Sequence, residues 1–224
     1  MKWLILIISL TFGSLACSSQ DDADTVITNG NPPSGGGVDK NPDPDAEYAI
    51  LFIGNSLTYT NNLPTLVESL AADNGVAVST TMEAKPNYAI VDHWQDGAVQ
   101  RLIRSGQYDF VVIQQGPSSQ NDGYEMLVND GKQYARLCEQ YNAKLAYFMV
   151  WPSRAYYHTF NGVITNYTLG AEANNAILCP VGQVWKDHFD RTNDFSYYGP
   201  DQFHPSLEGS RVAAKVILSS LGIL

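Results

Sequence analysis

The chain has 224 residues, with 13 Lys and Arg against 23 Asp and Glu, a formal net charge of −10 and 44% hydrophobic residues. That balance lacks the cationic footprint that phosphate binding needs, so nucleic acid is not expected as a partner. Two Lys and six Asp fall in residues 1–46, a net of −4, which leaves −6 for the remainder, an ordinary value for an exported soluble domain.

Residues 1–16 open with Met1-Lys2, run apolar from Trp3 to Phe12 and end in small residues before Cys17. This is the pattern of a secretory signal peptide, too short for a spanning helix. Leu15-Ala16-Cys17 resembles a bacterial lipoprotein box, in which the cysteine is lipidated and becomes the mature N-terminus. The box usually carries Leu where this chain has Ser14, and Ser14-Leu15-Ala16 also suits ordinary signal peptidase cleavage. The expectation is an exported protein that meets a membrane through lipid on Cys17, in the periplasm or at the cell surface, with simple secretion as the alternative. Residues 17–46, rich in Ser, Asp, Asn, Gly and Pro, form a disordered tether. Asp21, Asp22 and Asp24 lack both the spacing and the closing Glu of a calcium loop, so no metal is expected there.

Residues 47–224 are long enough for one domain and show no repeat. Ala49–Ile53 is a compact apolar run that stops at Gly54, a buried strand. Leu63, Leu66, Val67, Leu70 and Ala71 follow helical spacing up to an Asn74-Gly75 stop. A strand over 76–82 and a helix over 94–105 follow. Phe110–Ile113 is continuously apolar, as a central strand of a parallel sheet would be. A helix over 126–141, a strand over 145–150, a helix over 167–176, a short strand over 177–181 and a last helix over 207–220 complete the series. This alternation implies an α/β domain with a parallel sheet covered on both faces. Cys138, in a helical stretch, and Cys179, in an apolar run, read as two separate buried thiols, with a disulfide between them as the alternative.

Two short segments carry chemistry. Ser56 follows the first strand, at the end of the sheet where open α/β folds place ligands. Asp201 and His204 lie three apart in a loop closed by Pro205, so one turn can aim both side chains at one point. Asp can fix the imidazole tautomer while His takes the proton from a serine hydroxyl, which is too weak a nucleophile unaided. His93, His158 and His188 have no such partner motif and read as surface or structural histidines.

Gly54-Asn55-Ser56 is similar to the first block, and Asp201-x-x-His204-Pro205 to the last block, of the SGNH (GDSL-like) hydrolases, esterases and carbohydrate deacetylases. The family's Gly-Asp-Ser stands here as Gly-Asn-Ser, with the nucleophile in place. An α/β-hydrolase elbow fits poorly, because it wants Gly where this chain has Thr58. The resemblance implies a three-layer α/β/α sandwich around a mostly parallel five-stranded, flavodoxin-like sheet, with Ser56, Asp201 and His204 as catalytic residues; no cofactor is expected, and no metal, because no His, Cys and carboxylate cluster has metal-ligand spacing.

Ester hydrolysis builds negative charge on the former carbonyl oxygen, which waiting hydrogen-bond donors must meet. The family draws these from the nucleophile's N–H, a Gly N–H after the second strand and an Asn side chain after the third. Here the first is Ser56. The second falls at Asn87, because Asn tolerates the left-handed region and keeps its N–H. Gly97, farther on in helical sequence, reads as a packing glycine. For the third, Gln115 comes first and Ser118 second. Tyr59, Tyr88, Tyr124, Trp151, Tyr156 and Tyr157 lie near strand ends and could form a wall on which a sugar ring stacks, Tyr59 and Trp151 first among them. The resemblance implies a short-chain, O-acetyl esterase acting on a glycan or small-molecule ester. A hydrolase of longer acyl chains and a non-catalytic glycan-binding lipoprotein of the same fold are the alternatives.

Overall fold

The computed structural model describes residues 41–224. The expected signal peptide over 1–16, the lipidated Cys17 and most of the 17–46 tether lie outside the described residues.

Five strands form one sheet: β1 (Tyr48–Gly54), β2 (Val78–Ala84), β3 (Phe110–Ile113), β4 (Lys144–Phe148) and β5 (Ile177–Cys179). Their order is β2-β1-β3-β4-β5 and every neighbouring pair is parallel. β1 and β3 are the apolar runs of the sequence, and they are buried along nearly their whole length because helices cover both faces of the sheet. The chain leaves β1 toward β2 on one side and then crosses to β3 on the other. That reversal opens a crevice beyond the carboxyl ends of β1 and β3.

The helices are α1 (Ser56–Tyr59), α2 (Leu63–Asp73), α3 (Ile90–Asp96), α4 (Ala98–Arg104), α5 (Asn121–Glu125), α6 (Gly131–Gln140), α7 (Phe160–Ala173), α8 (Val181–Thr192) and α9 (Leu207–Ser220). The expected helix over 94–105 is two helices, and Gly97 is the joint, at φ +78° with no close neighbour for a Cβ. It is therefore a conformational glycine rather than a packing one. α7 begins seven residues before the expected 167. α8 has no counterpart in the sequence reading. Its Val181, Trp185 and Phe189 are buried on one stripe, and Val181, read above as the end of a strand, opens it.

α8 builds the aromatic half of the core. Trp185 stacks on Trp151, ring centroids 3.5 Å apart, and meets Tyr198 edge-on at 5.4 Å, while Phe189 stacks on Tyr198 at 5.2 Å. The loop before α9 rests on this cluster. Cys138 and Cys179 are free and buried, and burial pushes each thiol up to about 12, so neither is a nucleophile at neutral pH.

Candidate active site

β1 ends at Gly54, a position where nothing larger than glycine fits. A Cβ there would lie 2.4 Å from Thr58 Oγ1 and 2.6 Å from Gln114 Oε1. Asn55 then caps α1, its Oδ1 accepting from the Leu57 N–H at 3.2 Å, and Ser56 becomes the first helical residue. The buried Gln114 fastens this turn to the end of β3. Its Oε1 accepts from the Asn55 N–H and from Thr58 Oγ1, each at 2.9 Å, and its Nε2 donates to the Gln115 carbonyl at 2.9 Å. From the other side His93, 1% exposed, donates Nε2–H to the Gly54 carbonyl at 2.7 Å, so it is a buried structural histidine.

Tyr198 and Pro205 pair in an antiparallel bridge and close a small loop with Asp201 and His204 at its tip. The Gly199 N–H donates to the His204 carbonyl at 2.7 Å, and Trp151 Nε1–H donates to the Phe203 carbonyl at 3.0 Å. Asp201 Oδ1 accepts from the N–H groups of Phe203 and His204 at 3.0 and 2.9 Å, and Oδ2 lies 2.5 Å from His204 Nδ1. Burial works to raise the Asp201 carboxyl, but the bonds from the His204 ring and the two N–H groups outweigh it and hold the group below the ordinary carboxylate range. An ionised carboxylate facing Nδ1 makes that nitrogen the donor. Nε2, left as an acceptor, stands 2.8 Å from Ser56 Oγ. Asn61, at φ +56°, ties the two halves together by donating Nδ2–H to the Pro205 carbonyl at 3.0 Å.

Beside Ser56 lies a pocket of about 240 Å³, whose walls include Asn55, Ser56, Asn87, Tyr88, Gln115 and Phe203. Asn87 sits at φ +62° in a turn closed by the Tyr88 N–H on the Lys85 carbonyl at 3.3 Å. Pro86 and Asn87 thus fill the positions of a type II turn that call for Pro and for a residue at positive φ. The Ser56 N–H belongs to the first turn of α1, where no helical acceptor exists. Gln115 Oε1 accepts from the Ile90 N–H at 2.9 Å, which turns the other end of the amide, Nε2, toward Met126 Sδ at 3.3 Å, a weak acceptor.

Three expected site residues stand elsewhere. Ser118 donates its hydroxyl to the Gly116 carbonyl at 2.9 Å and is not among the pocket walls. Trp151 is fully buried against Trp185, so it supports the Asp201–His204 loop from below and offers no face to a sugar. Tyr59 is half-buried and also lies off the pocket. The aromatics that do line it are Tyr88 and Phe203. Phe203 went unread in the sequence, although its place between Asp201 and His204 was the available signal.

No family profile and no curated protein sequence matches the chain. Solved structures do. A protein from Slackia heliotrinireducens, provisionally described as an SGNH hydrolase, superposes with TM-score 0.64 and 22% identity over 78% of this chain and 99% of its own. A variant of Axe2, an acetyl xylan esterase from Geobacillus stearothermophilus, gives 0.62 and 15% over 80% and 96%. TesA gives 0.63 and 15% over 79% and 99%. The chain has the α/β fold of the SGNH (GDSL-like) hydrolases.

Proposed function

We propose that this protein is a carboxylic ester hydrolase in which Ser56, His204 and Asp201 act as a triad. The observation that carries the reading is the unbroken line from Asp201 Oδ2 through the imidazole to Ser56 Oγ, with contacts of 2.5 and 2.8 Å, at the edge of a small pocket. Ser56 Oγ attacks the ester carbonyl while His204 Nε2 takes its proton. The N–H groups of Ser56 and Asn87 and the Gln115 amide receive the oxyanion. His204 returns the proton to the departing alcohol, leaving an acyl-Ser56 that a water, activated by the same imidazole, hydrolyses. Asp201 keeps the ring in the tautomer this needs.

The pocket, about 240 Å³, falls below the roughly 300–1,000 Å³ of sites for drug-sized ligands, which favours a short acyl group such as acetyl. The acetyl xylan esterase among the structural neighbours supports a carbohydrate acceptor. We place the enzyme outside the cytoplasm, held to a membrane by lipid on Cys17. Cys17→Ala should release it from the membrane fraction.

The test is hydrolysis of p-nitrophenyl acetate, butyrate and octanoate by the purified protein, with Ser56→Ala and His204→Ala as controls. Turnover that depends on both residues and declines with chain length supports the acetylesterase. A preference for octanoate favours the long-chain reading. Absence of turnover together with absence of fluorophosphonate labelling of Ser56 would leave a binding protein.

A further inference from the structure

Asn55 touches three segments at once. Its N–H donates to Gln114 Oε1 at the end of β3, its Oδ1 accepts from the Leu57 N–H in α1, and its Nδ2 donates to the Tyr88 carbonyl at 3.0 Å. The amide orientation is fixed by its partners, since one faces an N–H and the other a carbonyl. Asn55 is only 8% exposed, so water does not readily replace these bonds. The side chain therefore spans from the turn bearing the Ser56 N–H to the turn bearing the Asn87 N–H, the two backbone donors assigned to the oxyanion.

The first block of the family carries aspartate at this position. An ionised carboxylate has two acceptor oxygens and no hydrogen to give, so it could cap Leu57 but would set an oxygen against the Tyr88 carbonyl. We propose that Asn55 is a positioning residue whose amide sets the separation of the Ser56 and Asn87 N–H groups, and that in this chain the aspartate of the family cannot take its place. This rests on the esterase reading above. It makes Gly-Asn-Ser a matched replacement, coupled to the Pro86-Asn87 turn that stands where the family has a glycine.

The decisive variant is Asn55→Asp, nearly identical in shape. In its acid form the introduced carboxyl regains one donor hydrogen, so protonation should restore the bridge to Tyr88. The ionisable groups on the segments around it are Tyr88, whose carbonyl Asn55 bonds, His93 and Lys85, which bond the Gly54 carbonyl through a ring and a backbone N–H respectively, Glu83, the register partner of Ile53, Asp96, paired with Lys85, and His204, bonded to Ser56. All are common to wild type and variant, so the ratio of the two activities removes their shared titration and leaves that of the new carboxyl together with any shift it imposes on these neighbours.

The full-length protein and Asn55→Asp would be compared on p-nitrophenyl acetate from about pH 8 to about pH 6, with circular dichroism confirming the fold. We expect kcat of the variant to be about tenfold or more below wild type at the upper pH, with KM changed less than about twofold. The ratio of variant to wild type should climb as pH falls. Asn55→Ser, which keeps a capping oxygen but cannot reach Tyr88, should show the same loss without recovery at low pH, and it carries the test if the aspartate variant does not fold. An undiminished kcat in Asn55→Asp at the upper pH, or full activity in Asn55→Ser, would overturn this proposal alone. Absence of Ser56-dependent turnover in the wild type would overturn the esterase reading and this proposal with it.

Discussion

Arg154 holds Gln202 by two hydrogen bonds, its backbone N–H to the Gln202 carbonyl at 2.9 Å and its Nη1 to Gln202 Oε1 at 2.9 Å. The guanidinium also lies 4.2 Å over the ring of Phe195. Gln202 stands between Asp201 and His204 at φ +60°, a conformation that a side chain of this kind adopts only when its surroundings impose it. Arg154 is one imposing neighbour, and the Gly199 carbonyl, which accepts from the Gln202 N–H at 3.0 Å and from its Nε2 at 3.2 Å, is another. Arg154→Ala should lower kcat by roughly three- to tenfold, through a loosened His204, with a stability loss of only about 1 kcal/mol because the side chain is exposed. Steady-state kinetics beside a urea titration measure both. A variant with wild-type kcat would show that the loop holds itself.

Asp201→Asn exchanges the acceptor of the Nδ1 proton for an amide that can present a donor there, favouring the tautomer with the proton on Nε2. Ser56 Oγ would then lose its base. We expect kcat to drop on the order of 10³-fold or more while the fold persists. A loss under about tenfold would mean that the imidazole finds its orientation without the carboxylate.

His93 gives the protein an acid-sensitive element separate from the triad. Burial lowers its basicity, and the bonded Gly54 carbonyl only partly offsets this. Below the ordinary imidazole value near 6.5 the unfolded chain takes up a proton that the folded chain refuses, so stability is fully present above that pH and is lost as pH falls toward the lower folded value. The slope reaches at most about 1.4 kcal/mol per pH unit. Urea unfolding at about pH 7 and about pH 5.5 should show the loss, and His93→Gln should flatten it. Equal slopes would overturn this account. Asp201 titrates in a separate window: its depressed carboxyl adds stability above the usual carboxylate range, which is lost only as pH falls below about 4.

Gly54→Ala would force a methyl against Thr58 Oγ1 and Gln114 Oε1, the atoms that fasten the nucleophile turn. A stability loss of about 1–3 kcal/mol and a tenfold or greater fall in kcat are expected together. Gly116→Ala is the control for stability, since an added carbon there meets nothing within 4 Å. A Gly54→Ala protein as active as wild type would mean that the turn adjusts freely.

The sequence made the frame and the pairing of Asp201 with His204 legible because each rests on local pattern. β1 and β3 are unbroken apolar runs, and Asp201 and His204 are held together by a turn of four residues. What escaped it was set by distant packing. The expected strand over 177–181 absorbed the first residue of α8, and the four-residue spacing of Val181, Trp185 and Phe189 was not followed past Pro180. Without α8 there was nothing to cover Trp151, so a core residue passed for a pocket wall. Ser118 and Gln115 posed a different difficulty, since loop residues three apart carry no sign in the sequence of which one lines the pocket beside Ser56.

Gln114 and Gln115 continue β3 as neighbours whose side chains go to opposite sides, one to the nucleophile turn and the other to Ile90 and Met126. Two identical residues thus perform unlike tasks solely by the parity of their positions along a strand. Inserting or deleting one residue within β3 would leave the composition of the site almost untouched and yet exchange the side chain that braces the Ser56 turn for the one that meets Ile90 and Met126. Over evolutionary time, length changes should therefore be tolerated in the loop that follows Gly116 far better than in the four residues that precede Gln114.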